Sequence, residues 1–298
     1  MSNVHGLVIL ITGGASGIGA ATAKALKAEG AIPVLIDCDA VQLKSTAADL
    51  NIPSFCVDVT DYAACEAAVA QTLAVYGRID VAWANAGIAS FGPLRLTDLD
   101  AWKRCVEVNV FGTLNIVRAA LPAVIIQRGY VLATASVSSF AHPPAVSSYA
   151  ASKAAVEAMC NSWRIELAAH GVGVGTVYAS WVQTPLVTEG DLHPAFVRLK
   201  STMPAFMRRA MPVNQAADII VRGIERRARR IWVPTWVRVL HWLRASLHTP
   251  LAERDLLQAA PEMERLFEEI ILSSGIKASS VAPRELARKL MDTTGTKK

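Results

Sequence analysis

Charge is scarce in this chain. Only 18% of its 298 residues are Asp, Glu, Lys or Arg, against 52% hydrophobic residues. That balance excludes general disorder and calls for a buried core. Cysteines are few, and none forms a CxxC pair. Cys38, Cys56, Cys65, Cys105 and Cys160 show no metal-ligand spacing, and their count of five is odd. A disulfide scaffold and a zinc module are therefore not expected; reduced thiols in a cytoplasmic protein are. No apolar run approaches the roughly 20 residues of a membrane-spanning helix. Met1 to His5 carries no charged leader and runs quickly into a strand-like stretch, so no secretion signal is expected. Internal repeats and low-complexity stretches are also missing.

The net charge of +5 is local. Nine arginines between Arg208 and Arg244 face only Asp218 and Glu225, a local +7 that leaves about −2 for the rest. Exposed stacking aromatics do not alternate with these arginines, which argues against a nucleic-acid partner.

What is present is an alternation of short apolar runs and helical stretches. Leu7–Ile11, Ile32–Ile36, Phe55–Val57, Asp80–Trp83, Tyr130–Thr134, Gly173–Tyr178 and Arg230–Val233 read as strands. Continuous apolar runs of this length suit strands buried on both faces, and the alternation predicts an α/β, doubly wound, mainly parallel sheet of seven strands. In such sheets ligands bind at the carboxyl ends of the strands.

The polar clusters fall at those ends. After the first strand comes Thr12-Gly13-Gly14-Ala15-Ser16-Gly17-Ile18-Gly19, leading into an Ala-rich helix that Gly30 closes. Glycines at a strand-to-helix turn let the backbone approach a pyrophosphate at the helix's positive end. The spacing is GxxxGxG, not the general GxGxxG. Asp37 ends the second strand, 20 residues beyond Gly17, where a carboxylate accepts hydrogen bonds from ribose hydroxyls. It would repel the extra phosphate of NADP, and Ser16 and Cys38 stand where a phosphate-binding cation could have been. NAD is therefore expected ahead of NADP. Further along, Tyr149 and Lys153 stand four residues apart and share one helix face, which Val156, Cys160, Trp163 and Leu167 continue as an apolar stripe. A fixed ammonium beside a phenol favours the phenolate, an arrangement suited to acid/base chemistry. The spacing alone is common.

In this order the motifs resemble the short-chain dehydrogenase/reductase family over about residues 5 to 235: Thr12-Gly13 with Gly17 and Gly19, Asp58-Val59, Asn85-Ala86-Gly87, Asn109, Ser136, and Tyr149 with Lys153. The resemblance implies a Rossmann-type fold and hydride exchange between NAD and a secondary alcohol or ketone. Tyr149 would be the acid/base and Lys153 would lower its pKa and hold the ribose. Ser136 would bond the reacting oxygen, with Ser138 the alternative, and Asn109 would break its helix to hold a relay water. Gly13, Ser16, Gly17, Ile18, Gly19, Asp37, Asp58, Val59, Asn85, Ala86, Gly87, Tyr149, Lys153, Val182 and Thr184 would line the cofactor. Two departures stand out. Ala84 replaces an Asn before Asn85, and Ala179-Ser180 replace Pro-Gly after the sixth strand. An NADP-dependent carbonyl reductase and a non-catalytic NAD-binding regulator are the alternatives.

Around the site, Phe140, His142, Pro143, Val146, Trp181 and Leu186 point to an apolar substrate such as a steroid, lipid or terpenoid. Residues 185 to 212, rich in Phe, Met and Pro without a clean period, read as a mobile lid on a domain spanning 1–235. Residues 236–298 extend that domain. Trp236, Val239, Leu240, Leu243 and Leu247 have helical spacing among arginines, so residues 226–247 could touch a membrane surface, cover the cleft, form an interface or dock on the core. The tail from about Ser279 reads as partly disordered, with a short helix near 283–291. A small-residue stripe, Ala151, Ala155, Ala158 and Ser162, would permit the homodimer or homotetramer that the resemblance implies.

Overall fold

The computed structural model describes residues 4–274, so the expected tail beyond Ser279 lies outside the described residues. Seven strands form one parallel sheet in the order β3-β2-β1-β4-β5-β6-β7. They are β1 Val8–Thr12, β2 Ile32–Asp37, β3 Ser54–Cys56, β4 Val81–Ala84, β5 Tyr130–Ser136, β6 Gly173–Ala179 and β7 Arg230–Val233. Alternation along β1 explains the layering: Val8 and Leu10 face one apolar layer, Ile9 and Ile11 the other. The first layer is covered by α3 (Tyr62–Tyr76), α5 (Gly112–Ile126) and α6 (Ser147–Glu166), with α4 (Leu99–Val106) packed outside on α6; the second by α1 (Gly17–Ala28), α2 (Ala40–Leu50) and α10 (Val213–Glu225).

Aspartates start several of these helices. Asp39 accepts from the Gln42 N–H at 3.0 Å, Asp61 from the Ala64 N–H at 3.0 Å, and Asp98 from the Asp100 N–H at 2.9 Å. Asn51 and Gly77 end α2 and α3 in the left-handed conformation. Leu99–Ile126 runs as one 28-residue helix, widened to π geometry at Glu107–Phe111. By length and composition it could cross a membrane, a property that scanning for unbroken apolar runs misses. Here Ile116, Val117, Ala120 and Val124 sit in the core.

The segment from 185 to 212 differs from a loose lid. It folds into α7 (Pro185–Gly190), α8 (Pro194–Ser201) and α9 (Ala205–Arg208), with Pro185 and Pro194 starting the first two and Pro204 capping the third. Phe196 and Leu199 pack on Ala259 and Met263 of α12 (Pro250–Ser274). Arg198 pairs with Glu262 at 2.5 Å, and Arg95 pairs with both Glu264 and Glu268. The C-terminal helix thus ties this segment to the loop before α4.

The basic stretch 226–247 is not one surface helix. Arg226, Arg227 and Arg229 lie in the turn before β7, whereas Val237–Trp242 forms α11 beyond its carboxyl end. Trp236, Leu240 and Leu247 pack on the core, and Arg244 pairs with the buried Glu157 at 2.6 Å. The α6 stripe faces outward: Ala151, Ala158 and Ser162 are exposed and Ala155 is half-buried.

Candidate active site

A cavity of about 550 Å³ lies along the carboxyl edge of the sheet, a size typical of small-molecule and cofactor sites. At one end it is lined by Gly13, Ser16, Gly17, Ile18, Asp37 and Asp58; Asn85, Ala86 and Gly87 lie midway; Ser136, Tyr149 and Lys153 stand at the other end. The strand order switches at β1, with β2 and β3 laid down to one side and β4 to β7 to the other, which opens the crevice there.

Sterics shape the glycine turn. Gly13 and Gly17 have φ of +66° and +56°. A Cβ on Gly19 would stand 2.2 Å from the Gly13 carbonyl oxygen. The Ser16 side chain makes no cap hydrogen bond to α1, so the helix's first N–H groups are left to a ligand. Asn85 seals the turn from below, its Nδ2 donating to the Thr12 carbonyl at 3.1 Å while the Thr12 hydroxyl accepts from the Asn85 and Ala86 N–H groups at 2.9 and 3.0 Å. The Asp37 carboxylate accepts from the Ala15 and Asp39 N–H groups, both at 3.0 Å. Asp58 accepts from the Thr60 N–H at 2.9 Å and pairs with Arg104; the Thr60 and Arg104 hydrogen bonds, outweighing burial, hold it below the usual carboxylate range. These features fit a dinucleotide.

At the other end, Ser136 terminates β5 and caps a 3₁₀ turn, accepting from the Ser138 N–H at 3.1 Å and donating to the Ala179 carbonyl at 3.2 Å. Ser139 links that turn to α6 by donating to the Lys153 carbonyl at 3.0 Å. Lys153 Nζ donates to the Thr134 carbonyl at 2.8 Å and sits 5.6 Å from the Tyr149 ring centre. Burial dominates the electrostatics. It pushes the Tyr149 phenol up to about 12, against the Ser136 hydrogen bond, and the Lys153 ammonium down to about 8. Burial thus raises the phenol in place of the expected lowering by Lys153, and Tyr149 holds its proton at neutral pH.

Asn109 is wholly buried in the π turn. Its Oδ1 accepts from the Ile88 N–H at 2.9 Å, and its Nδ2 donates to the Ile88 carbonyl at 2.9 Å and to Ser152 Oγ at 2.8 Å. A Cβ on Gly87 would lie 3.0 Å from Lys153 Nζ and 3.1 Å from Asn109 Oδ1, so Gly87 packs between them.

Trp181, Val182, Thr184, Leu186, Pro143 and Val146 all line the cavity, and Val59 and Ser138 do so as well. Two expected substrate residues do not. Phe140 is buried against Tyr178 and His241, at 6.1 and 5.1 Å between ring centres, because the 3₁₀ turn at Val137–Ser139 rotates it into the core. His142 is exposed and stacks on His248 at 4.6 Å. Sequence reasoning missed Phe91, which follows the β4 loop, and Arg104, brought in by the packing of α4. The position of Phe91 just past a strand end was a usable signal; Arg104 carried none.

The sheet order and glycine turn define a Rossmann-type nucleotide-binding protein. The family model for short chain dehydrogenases matches residues 7–194. The chain therefore belongs to the short-chain dehydrogenase/reductase family. It is 33% identical over 216 residues to meso-2,3-butanediol dehydrogenase of Serratia marcescens, covering 72% of this chain and 85% of that one. Against 11-beta-hydroxysteroid dehydrogenase A of Sesamum indicum it is 29% identical, covering 99% of this chain and 83% of the relative. A short chain dehydrogenase/reductase from Burkholderia phymatum, solved in complex with NAD, superposes with a TM-score of 0.73 at 25% identity over 84% of this chain and 98% of the other.

Proposed function

We propose that the protein interconverts an apolar secondary alcohol and its ketone with NAD. The observation that carries this reading is the convergence of Ser136, Tyr149 and Lys153 on one wall of a cavity whose far wall is the glycine turn. Gly13, Ser16, Gly17 and Ile18 would hold the pyrophosphate, while Gly19, which does not line the cavity, keeps α1 close against the Gly13 carbonyl. Asp37 would hold the adenosine ribose, Asp58 and Val59 the adenine, and Asn85, Ala86, Gly87, Val182 and Thr184 the remainder. When bound, the nicotinamide supplies or accepts the hydride.

The chain's own residues supply the proton and the orientation. Tyr149, protonated at neutral pH, donates its proton to the substrate oxygen in reduction; in oxidation it first releases that proton to solvent and then takes the alcohol's proton as phenolate. The Ser136 hydroxyl, fixed at the end of β5, orients that oxygen. Lys153, anchored on the Thr134 carbonyl, supplies positive charge beside the phenol. Asn109 braces the start of α6 through Ser152, whose hydroxyl donates to the Tyr149 carbonyl.

Asp37 supports NAD, because its carboxylate faces the cavity end where a second ribose phosphate would meet like charge. The Burkholderia relative was solved with NAD bound, which supports a nicotinamide dinucleotide in this cavity. The apolar substrate rests on Phe91, Val146, Trp181, Leu186, Phe196 and Leu199, which line the cavity beyond Tyr149. The sesame relative, named for a hydroxysteroid, aligns across the C-terminal helices too. The test is an NAD-reduction screen over secondary alcohols, with Tyr149→Phe as control. Turnover of apolar alcohols is expected, falling by about 10²–10⁴ in the variant while NAD affinity holds. Normal activity in Tyr149→Phe would refute the assignment.

A further inference from the structure

The C-terminal part of the chain carries an apolar face that the core does not use. Four large side chains protrude there: Trp242 is 83% exposed, Phe206 63%, Val239 58% and Leu243 43%. They are contiguous. Phe206 of α9 meets Trp236 edge-on at 5.8 Å, and Trp236, Val239 and Leu243 follow one another at helical spacing, with Trp242 beside them. The face lies at the same sheet edge as the cavity, since α11 leaves the carboxyl end of β7, and the Ser180 N–H donates to the Val233 carbonyl at 2.7 Å.

Its charge has one sign. Arg208, Arg209 and Arg238 are exposed around it. Among the described residues, Arg209 and Arg238 make no ion pair, while Arg244 is already engaged by Glu157. From residue 201 to 252 the only carboxylates are Asp218 and Glu225, both on α10. An exposed indole flanked by free guanidinium groups is the composition favoured at a lipid–water interface. A protein partner for such a face would bring carboxylates and an apolar groove together; a lipid surface bearing anionic headgroups offers both over any area, without shape requirements.

We propose that the face of Phe206, Val239, Trp242 and Leu243, rimmed by Arg209 and Arg238, seats the protein on an anionic lipid surface. The segment that carries Phe206 also carries Phe196 and Leu199, which line the substrate end of the cavity. The inference rests on the surface alone and stands whichever alcohol the cleft accepts.

The experiment is co-sedimentation of the full chain with phosphatidylcholine vesicles, with and without phosphatidylserine. Pelleting is expected with the anionic vesicles and should weaken with added salt. Arg209→Glu combined with Arg238→Glu should lower partitioning by roughly tenfold or more, since each arginine near such a surface contributes about fivefold. Trp242→Ser combined with Leu243→Ser should lower it on both vesicle types. Circular dichroism and thermal melting check that each variant is folded; all four positions are exposed, so they should be. Failure of the wild type to pellet with phosphatidylserine vesicles overturns the proposal, as does pelleting unchanged in both folded variants. A dimer on gel filtration that these variants lose, with vesicles ignored, also overturns it and assigns the face to a second copy.

Discussion

Replacing Asn109 by Leu removes a carboxamide while keeping the number and branching of its heavy atoms. The side chain is wholly buried, so water cannot substitute for what is lost. The Ile88 N–H, held by Oδ1 at 2.9 Å, is left without an acceptor. The Ile88 carbonyl keeps only the weak Cys105 thiol at 3.3 Å. Ser152 Oγ loses its donor but still donates to the Tyr149 carbonyl at 2.8 Å, so its hydroxyl proton remains placed. One orphaned backbone donor at about 1–3 kcal/mol, plus two lost hydrogen bonds at about 0.5–1.5 kcal/mol each, predicts a loss of roughly 4 kcal/mol. Urea unfolding followed by circular dichroism measures it. Ser152→Ala should cost only about 1 kcal/mol. The double variant should cost little more than Asn109→Leu alone, because the two side chains share a bond. An Asn109→Leu protein within about 0.5 kcal/mol of wild type would refute the account, since ordinary surface substitutions do no more than that.

Asp37→Ala should raise the NADP-to-NAD ratio of kcat/KM by tenfold or more, roughly the effect of removing one close like charge; an unchanged ratio removes Asp37 from the discrimination. Gly19→Ala would place a Cβ 2.2 Å from the Gly13 carbonyl and 2.9 Å from Asn85 Nδ2, and backbone cannot yield as a flexible side chain does. It should lower stability by at least about 2 kcal/mol and abolish dinucleotide binding, read by thermal melting and titration. Buried His193 has its pKa lowered to about 4 by desolvation, from an ordinary 6.5. Between those values the unfolded chain binds the extra proton, so stability should fall by about 3 kcal/mol as pH drops from 6.5 to 4. His193→Asn keeps an acceptor for the Ala195 N–H and should flatten that acid limb; an unaltered limb places the titration elsewhere.

Much of the fold was legible because a strand buried on both faces must be apolar throughout. Leu7–Ile11 and Tyr130–Thr134 announce themselves that way, and the chemistry-bearing residues then fall at their carboxyl ends. The lid was not legible. Its helices are short, started by prolines, and held by Ala259 and Met263 from some 60 residues further on, so no local period records them. Phe140 and His142 misled for a related reason: a single 3₁₀ turn decides whether a side chain after Ser136 enters the cleft or the core.

The glycine turn, the carboxylate at 37 and the Ser136, Tyr149 and Lys153 set were readable from sequence because each depends on local geometry, a turn or a helical spacing. Tertiary structure alone decided the rest. It pushed the Tyr149 phenol up instead of down, since burial is a property of everything packed around it. It split the basic stretch between the two ends of β7 and left Trp242 in solvent while drawing Trp236 onto the core. Desolvation and exposure are sums over distant neighbours, and no short window of sequence contains them.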